Sequence, residues 1–118
     1  MKPIIRIKRA YEPAENTDGY RVLVDKLWPR GIDKEHAAIE EWAKQLAPSD
    51  ALRKWFGHDP ALWEGFQQQY RAELDQNPDV AEFVHHHKGT KLLTLVYGAK
   101  DTLHNNAVVL QSYLETKF

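Results

Sequence analysis

Cysteine is absent from all 118 residues. That removes disulfides, thiolate nucleophiles and Cys-ligated zinc, and it is the usage expected of a cytoplasmic chain. Long apolar runs are missing too: no stretch approaches the roughly 20 residues needed to cross a bilayer. The opening Met-Lys-Pro-Ile-Ile-Arg-Ile-Lys is too short and too charged for a secretory signal. No membrane partner is expected. A strong charge of either sign is also lacking, since 16 Lys and Arg stand against 17 Asp and Glu. Residues 1–34 carry 8 basic and 5 acidic side chains, residues 35–88 carry 5 and 10, and residues 89–118 carry 3 and 2. A basic first third beside an acidic middle suits an anion site, but falls short of the bias of a nucleic-acid-binding domain. No internal repeat, linker or low-complexity tract divides the chain, so one domain spanning 1–118 is expected.

What is present begins with apolar pattern. Ile4, Ile5 and Ile7 around Arg6 and Lys8 give a strand over about 3–8, and Tyr20–Lys26 a second with Val22, Leu23 and Val24 at its centre. The polar connection 9–19 is near the minimum for a parallel crossover and long for a hairpin, so the relative direction of these strands stays open. Asp33 caps a helical turn over 34–38. Residues 39–46 carry Ile39, Trp42 and Leu46 at helical spacing, yet a helix starts at Ser49; a short third strand near 40–44 is the reading adopted. Ser49 caps a helix bearing Leu52, Trp55 and Phe56, ended by Gly57. Asp59-Pro60 opens another, with the stripe Trp63, Phe66, Tyr70 and Leu74. Asn77-Pro78 precedes a third, ending near Gly89. Lys91–Val96 reads as a buried strand, followed by a helix over about 103–116 facing inward through Leu103, Ala107, Leu110 and Leu114. Strands alternating with helices define an α/β fold, a mostly parallel sheet flanked by helices in two or three layers.

Open α/β sheets bind ligands beyond the carboxyl ends of their strands, beside helix N-termini. With parallel strands, Asp25, Trp28, Arg30, Ser49, Tyr97, Lys100, His104 and Asn105 share one rim. Arg30 offers a bidentate fork and Lys100 a point charge for an anion. Free backbone N–H groups at the last helix would add donors, Trp28 or Tyr97 a face for a base, and Asp25 or His104 a proton-transfer group. A small phosphorylated or nucleotide-like ligand is the expected partner, bound by an enzyme or a sensor. The competing structural reading pairs Asp25 with Arg30 or Arg21, puts Trp28 in the core and makes Asp101 a helix cap. No cofactor is implied, because Walker A, nucleophile-elbow and Rossmann glycine motifs are missing. His85-His86-His87 is not taken as a metal site, since consecutive helical residues point about 100° apart.

These residues resemble the YeaO-like proteins, a bacterial group within the domain of unknown function 488 family. The likeness rests on Asp18–Gly31 (Asp-Gly-Tyr-Arg-Val-Leu-Val-Asp-Lys-Leu-Trp-Pro-Arg-Gly), on Trp42–Ser49 and Leu52–Asp59, and on Leu95–Asp101 with His104, Asn105 and Ala107. It covers nearly the whole chain and implies a small Rossmann-like domain with a strand near 40–44. Longer relatives carry Cys-His-Arg at the start of the last helix, where this chain has His104-Asn105-Asn106, so their thiol chemistry does not transfer. The family brings no established reaction. The alternative function is a non-catalytic regulatory or interaction module that exposes Trp55, Trp63 or Tyr70 to a partner or a second copy; a DNA-binding regulator ranks third for want of a basic recognition helix.

Overall fold

The computed structural model describes residues 2–118. Four strands, β1 (Ile4–Arg9), β2 (Tyr20–Leu23), β3 (Glu41–Trp42) and β4 (Leu92–Tyr97), form one parallel sheet in the order β1-β4-β2-β3. β4 is central: it pairs with β1 along six positions, Ile4 opposite Leu92 through Arg9 opposite Tyr97, and with β2 along four. That placement explains why Leu93, Thr94, Leu95, Val96 and Tyr97 are all buried, as expected of a strand covered on both faces.

Alternation along the strands splits the apolar residues between two faces. Ile5, Val22, Val24, Leu93, Leu95 and Tyr97 face the main core. Against them pack α2 (Asp50–Phe56), α3 (Trp63–Asp75), α4 (Asp79–His86) and α5 (Asn106–Glu115), through Phe66, Tyr70 and Leu74 of α3 and Leu110 and Leu114 of α5 among others. Each such side chain removed from water contributes about 1.5–3 kcal/mol. The opposite face carries a smaller cluster of Ala10, Leu23 and Val96, covered by Trp28, Ile32, Ile39 and Trp42 rather than by long helices. α1 (Lys34–Ala37), capped by Asp33 with a 2.7 Å hydrogen bond from the His36 N–H, lies in the connection that supplies this cover.

The crossovers follow from this division. The 10–19 connection leaves β1, crosses β4 on the smaller-cluster face and enters β2. There Asp18 accepts from Lys8 of β1 and Arg21 of β2, while its carbonyl accepts from Thr94 of β4. Residues 24–40 pass over that same face to β3, whereas 43–91, with α2, α3 and α4, return over the main face to β4. Moving one way on one face and back on the other gives all three crossovers one hand, as parallel sheets require. The direction of β1 relative to β2, open in the sequence, is parallel because both pair with β4.

Helix limits follow local chemistry. Ser49 accepts from the Leu52 N–H at 3.1 Å and starts α2, and Gly57 ends it at φ 51. α5 begins later than the apolar pattern suggested. Asp101 takes the N–H groups of Leu103 and His104 in a turn, and the cap is Asn105, accepting from Val108. Leu103 therefore points to solvent, 70% exposed, rather than inward. Tyr70, offered as an exposed aromatic, is fully buried, its hydroxyl donating to the Leu46 carbonyl at 2.6 Å; Trp55 is 45% exposed. Among the described residues no helix is long and apolar enough to cross a membrane.

Candidate functional site

The connection leaving β2 goes to one face of the sheet and the connection leaving β4 goes to the other. Their carboxyl ends are neighbours, so a crevice opens between them, the place where open α/β sheets hold ligands. Asp25 stands at the end of β2 and Gly98 at the end of β4, and the two are bonded: the Gly98 N–H donates to Asp25 Oδ2 at 2.8 Å. Glycine suits this position, since a Cβ at residue 98 would lie 3.2 Å from that same oxygen. Asn106, in the first turn of α5, donates from its amide to Asp25 Oδ1 at 3.1 Å and to the Val24 carbonyl at 3.0 Å. From the other side, the Trp42 indole donates to the Asp25 carbonyl at 2.8 Å. Residue 25 is thus held by three elements, its carboxylate by the end of β4 and the start of α5 and its backbone carbonyl by β3.

Asp25 lines a cavity of about 390 Å³ between the sheet's carboxyl edge and α2. Gly98, Ala99, Asn105 and Asn106 line it on the sheet and α5 side, and Pro48, Phe56 and Phe66 give it an apolar wall. The rings of Phe56 and Phe66 stack with centroids 4.3 Å apart. Lys26, Arg53, Lys54 and His58 also line it, so the cavity wall carries four basic side chains and one carboxylate. Lys26 and Arg53 share Asp50, at 3.4 and 3.5 Å, while Lys54 has no carboxylate partner among the described residues. His58 holds a positive φ of 58, shared among non-glycine residues only with Ala38 in the described chain, a conformation non-glycine residues seldom adopt. Burial pushes the Asp25 carboxyl above its ordinary value; the hydrogen bonds from Gly98 and Asn106 and the charge of His58 oppose that rise. One carboxylate and one imidazole are too few ligands to fix a metal ion here.

The residues expected at the rim are distributed unevenly. Asp25 and Asn105 line the cavity together. Tyr97 is buried in the main core just beneath, its hydroxyl made harder to ionise chiefly by burial. His104 pairs with Asp101 at 2.9 Å and meets the Trp63 ring edge-on, with centroids 5.2 Å apart. Ser49 is engaged by Glu73, which accepts from both its N–H and its hydroxyl at 2.8 and 2.6 Å. Trp28 packs on the opposite sheet face, edge-on to Trp42 at 5.4 Å and donating to the Ile32 carbonyl. Arg30 and Lys100 are exposed at the same end of the sheet, and neither lines the cavity. Asp25 pairs with neither Arg21 nor Arg30, since Arg21 is bound to Asp18. The N–H groups of Leu103, His104 and Val108, expected as free anion donors, are taken by Asp101 and Asn105.

Asn106, Lys26, Arg53 and Lys54 were not singled out by sequence. A cue existed for two of them: Arg53 and Lys54 lie in the last turn before Gly57, in a helix whose end lies near the sheet edge. Nothing in the order His104-Asn105-Asn106 shows which amide turns towards β2.

The fold and cavity define a small α/β domain with a pocket at the switch point of its parallel sheet. The chain belongs to the family described as "Inactive DUF488-N3 subclade", whose model matches residues 4–118. It is 45% identical over 112 residues to the uncharacterized protein YeaO of Escherichia coli K12, covering 95% of this chain and 97% of that one. An uncharacterized protein of Mycobacterium tuberculosis is 36% identical over 110 residues, covering 93% and 92%. No solved structure matches the chain.

Proposed function

We propose that this chain is a cytoplasmic, non-catalytic binding protein for a small anionic ligand of phosphate or nucleotide-like character, held in the cavity at the carboxyl edge of the sheet. The observation that carries the reading is one partly buried carboxylate, Asp25, in an apolar pocket lined also by Lys26, Arg53, Lys54 and His58. Such a pocket suits a two-ended ligand. A hydroxyl, amine or base N–H would donate to Asp25, a flat apolar part would lie against Phe56 and Phe66, and an anionic group would reach Arg53 and Lys54. The volume lies within the range of small-molecule sites. Binding without turnover is favoured by the word "Inactive" in the family's description. It is favoured also by the geometry: both Asp25 oxygens accept fixed hydrogen bonds, and His104, the other proton-transfer candidate, does not line the cavity.

The test is a thermal-shift panel of inorganic phosphate, nucleoside monophosphates and uncharged nucleosides on the wild type and on an Arg53→Ala, Lys54→Ala double variant. Both side chains are exposed, so the variant should fold. A phosphorylated compound should stabilise the wild type, and the double variant should need about tenfold more of it, roughly 1.4 kcal/mol of binding. Equal stabilisation of both proteins, or none of either by any compound, would overturn the reading.

A further inference from the structure

The geometry points to a second site, for a divalent transition metal such as zinc, at the opposite, amino-terminal end of the sheet, built from Glu41, His86 and His87. One ligand atom from each of the three lies within 4.8 Å of the other two. Residues 85–87 would point about 100° apart only if all three continued a helix. α4 ends at His86, and His87 departs from helical geometry at φ −102 and ψ 16. Its ring therefore turns back towards the sheet, edge-on to His86 with centroids 4.7 Å apart. Glu41, from edge strand β3, completes the set from a different element.

The surroundings are those of a metal ligand set. His87 is 1% exposed, its Nε2 facing Glu41 Oε1 at 2.9 Å and its Nδ1 facing Thr90 Oγ1 at 3.0 Å. With a metal on Nε2, the Nδ1–H donates to Thr90, the outer hydrogen bond that fixes tautomer and ring orientation in metal sites. Tyr20 packs edge-on against the His87 ring, with centroids 4.9 Å apart, and so holds it from the sheet side. The site also sits at the C-terminal end of α4, where the helix dipole favours a cation. Two nitrogens and one oxygen suit zinc, nickel or copper better than magnesium or calcium. Tetrahedral ligands at about 2.0–2.1 Å from zinc stand roughly 3.4 Å apart, so small side-chain rotations close the set and leave a fourth position to water.

The experiment is isothermal titration of chelator-treated full-length protein with zinc chloride at neutral pH, with the thermal midpoint as a second readout. The wild type should bind one zinc and melt at higher temperature. His86→Ala, at an exposed position that need not disturb the fold, and Glu41→Gln should each weaken binding at least tenfold. His85→Ala, which removes a histidine outside the set, should bind as the wild type does. Undiminished binding by His86→Ala would overturn the assignment, as would an equal loss in His85→Ala, the sign of an unstructured histidine run. Absence of zinc binding by the folded wild type would overturn it outright.

Discussion

A single Asn106 amide donates to the Val24 carbonyl at 3.0 Å and to the Asp25 carboxylate at 3.1 Å, tying the first turn of α5 to the end of β2. The bond joins parts of the chain more than eighty residues apart and closes one side of the cavity. Asn106→Ala removes both interactions and leaves a partly buried charge with one fixed donor, Gly98. It should lower stability by about 1–3 kcal/mol in urea unfolding, and a loss within experimental error would mean that water replaces the amide at no cost.

The pH dependence of Asp25 has a definite sign. Burial raises its folded-state value above that of the unfolded chain, so the folded state holds the proton through a window in which the unfolded state has released it. Stability contributed by this group therefore falls as pH rises from the ordinary carboxylate range through the raised value, and stays lower above it. Urea titrations of wild type and Asp25→Asn between pH 4 and 8 check this, with roughly that span covering the carboxylate window. The wild type should lose ground to the variant as pH rises; a gain would reverse the sign.

Asp18 titrates in the opposite sense. Burial works against its charge, but hydrogen bonds from the Glu15 N–H, Lys8 and Arg21 outweigh that cost and hold the carboxyl below its ordinary value. Its contribution is complete above the unfolded-state value and is lost as pH falls through the lowered one. Arg21 is only 3% exposed, with Asp18 as its sole carboxylate partner among the described residues and the Ala37 carbonyl as its other acceptor. Asp18→Asn should cost about 3–5 kcal/mol at pH 7 by stranding that guanidinium. A cost below about 1 kcal/mol would class the pair with exposed bridges instead.

Gly19 is required for a steric reason. It sits at φ 66, and a Cβ there would lie 2.7 Å from the Leu92 carbonyl oxygen and 2.8 Å from the Leu92 side chain. Gly19→Ala should destabilise by about 2–3 kcal/mol, combining left-handed strain with displacement of β4 at its entry. A thermal midpoint unchanged from wild type would contradict that.

The sheet was legible because burial leaves a direct trace in sequence. Val22-Leu23-Val24 and Leu92–Tyr97 are apolar on both faces, as only covered parallel strands are, and Ser49 and Gly57 bracket α2 by capping chemistry. Even the two-residue β3 was reachable, since a helix starting at Ser49 left no room for one before it. The site was less legible. Which loops share an end of the sheet follows from topology, and Asp25 with Asn105 came from that rule. Which face a loop residue turns to does not: past Asp25 the chain bends towards the smaller cluster and takes Trp28 with it. The cavity's cations come from α2 and from Lys26. The metal ligands were hidden for a similar reason, because Glu41 lies 46 residues from His87 and the helix ends one residue before it.

The measurement that tests the cavity most directly is a ¹⁵N-resolved NMR titration with adenosine monophosphate, followed at the backbone amides of Gly98 and Gly57, the Asn106 side-chain amide, and the amides of Arg30 and Lys100. Binding in the cavity should move Gly98, Gly57 and Asn106 together, saturably, and leave Arg30 and Lys100 nearly unmoved. Shifts centred on Arg30 and Lys100 with Gly98 and Asn106 unchanged would contradict it.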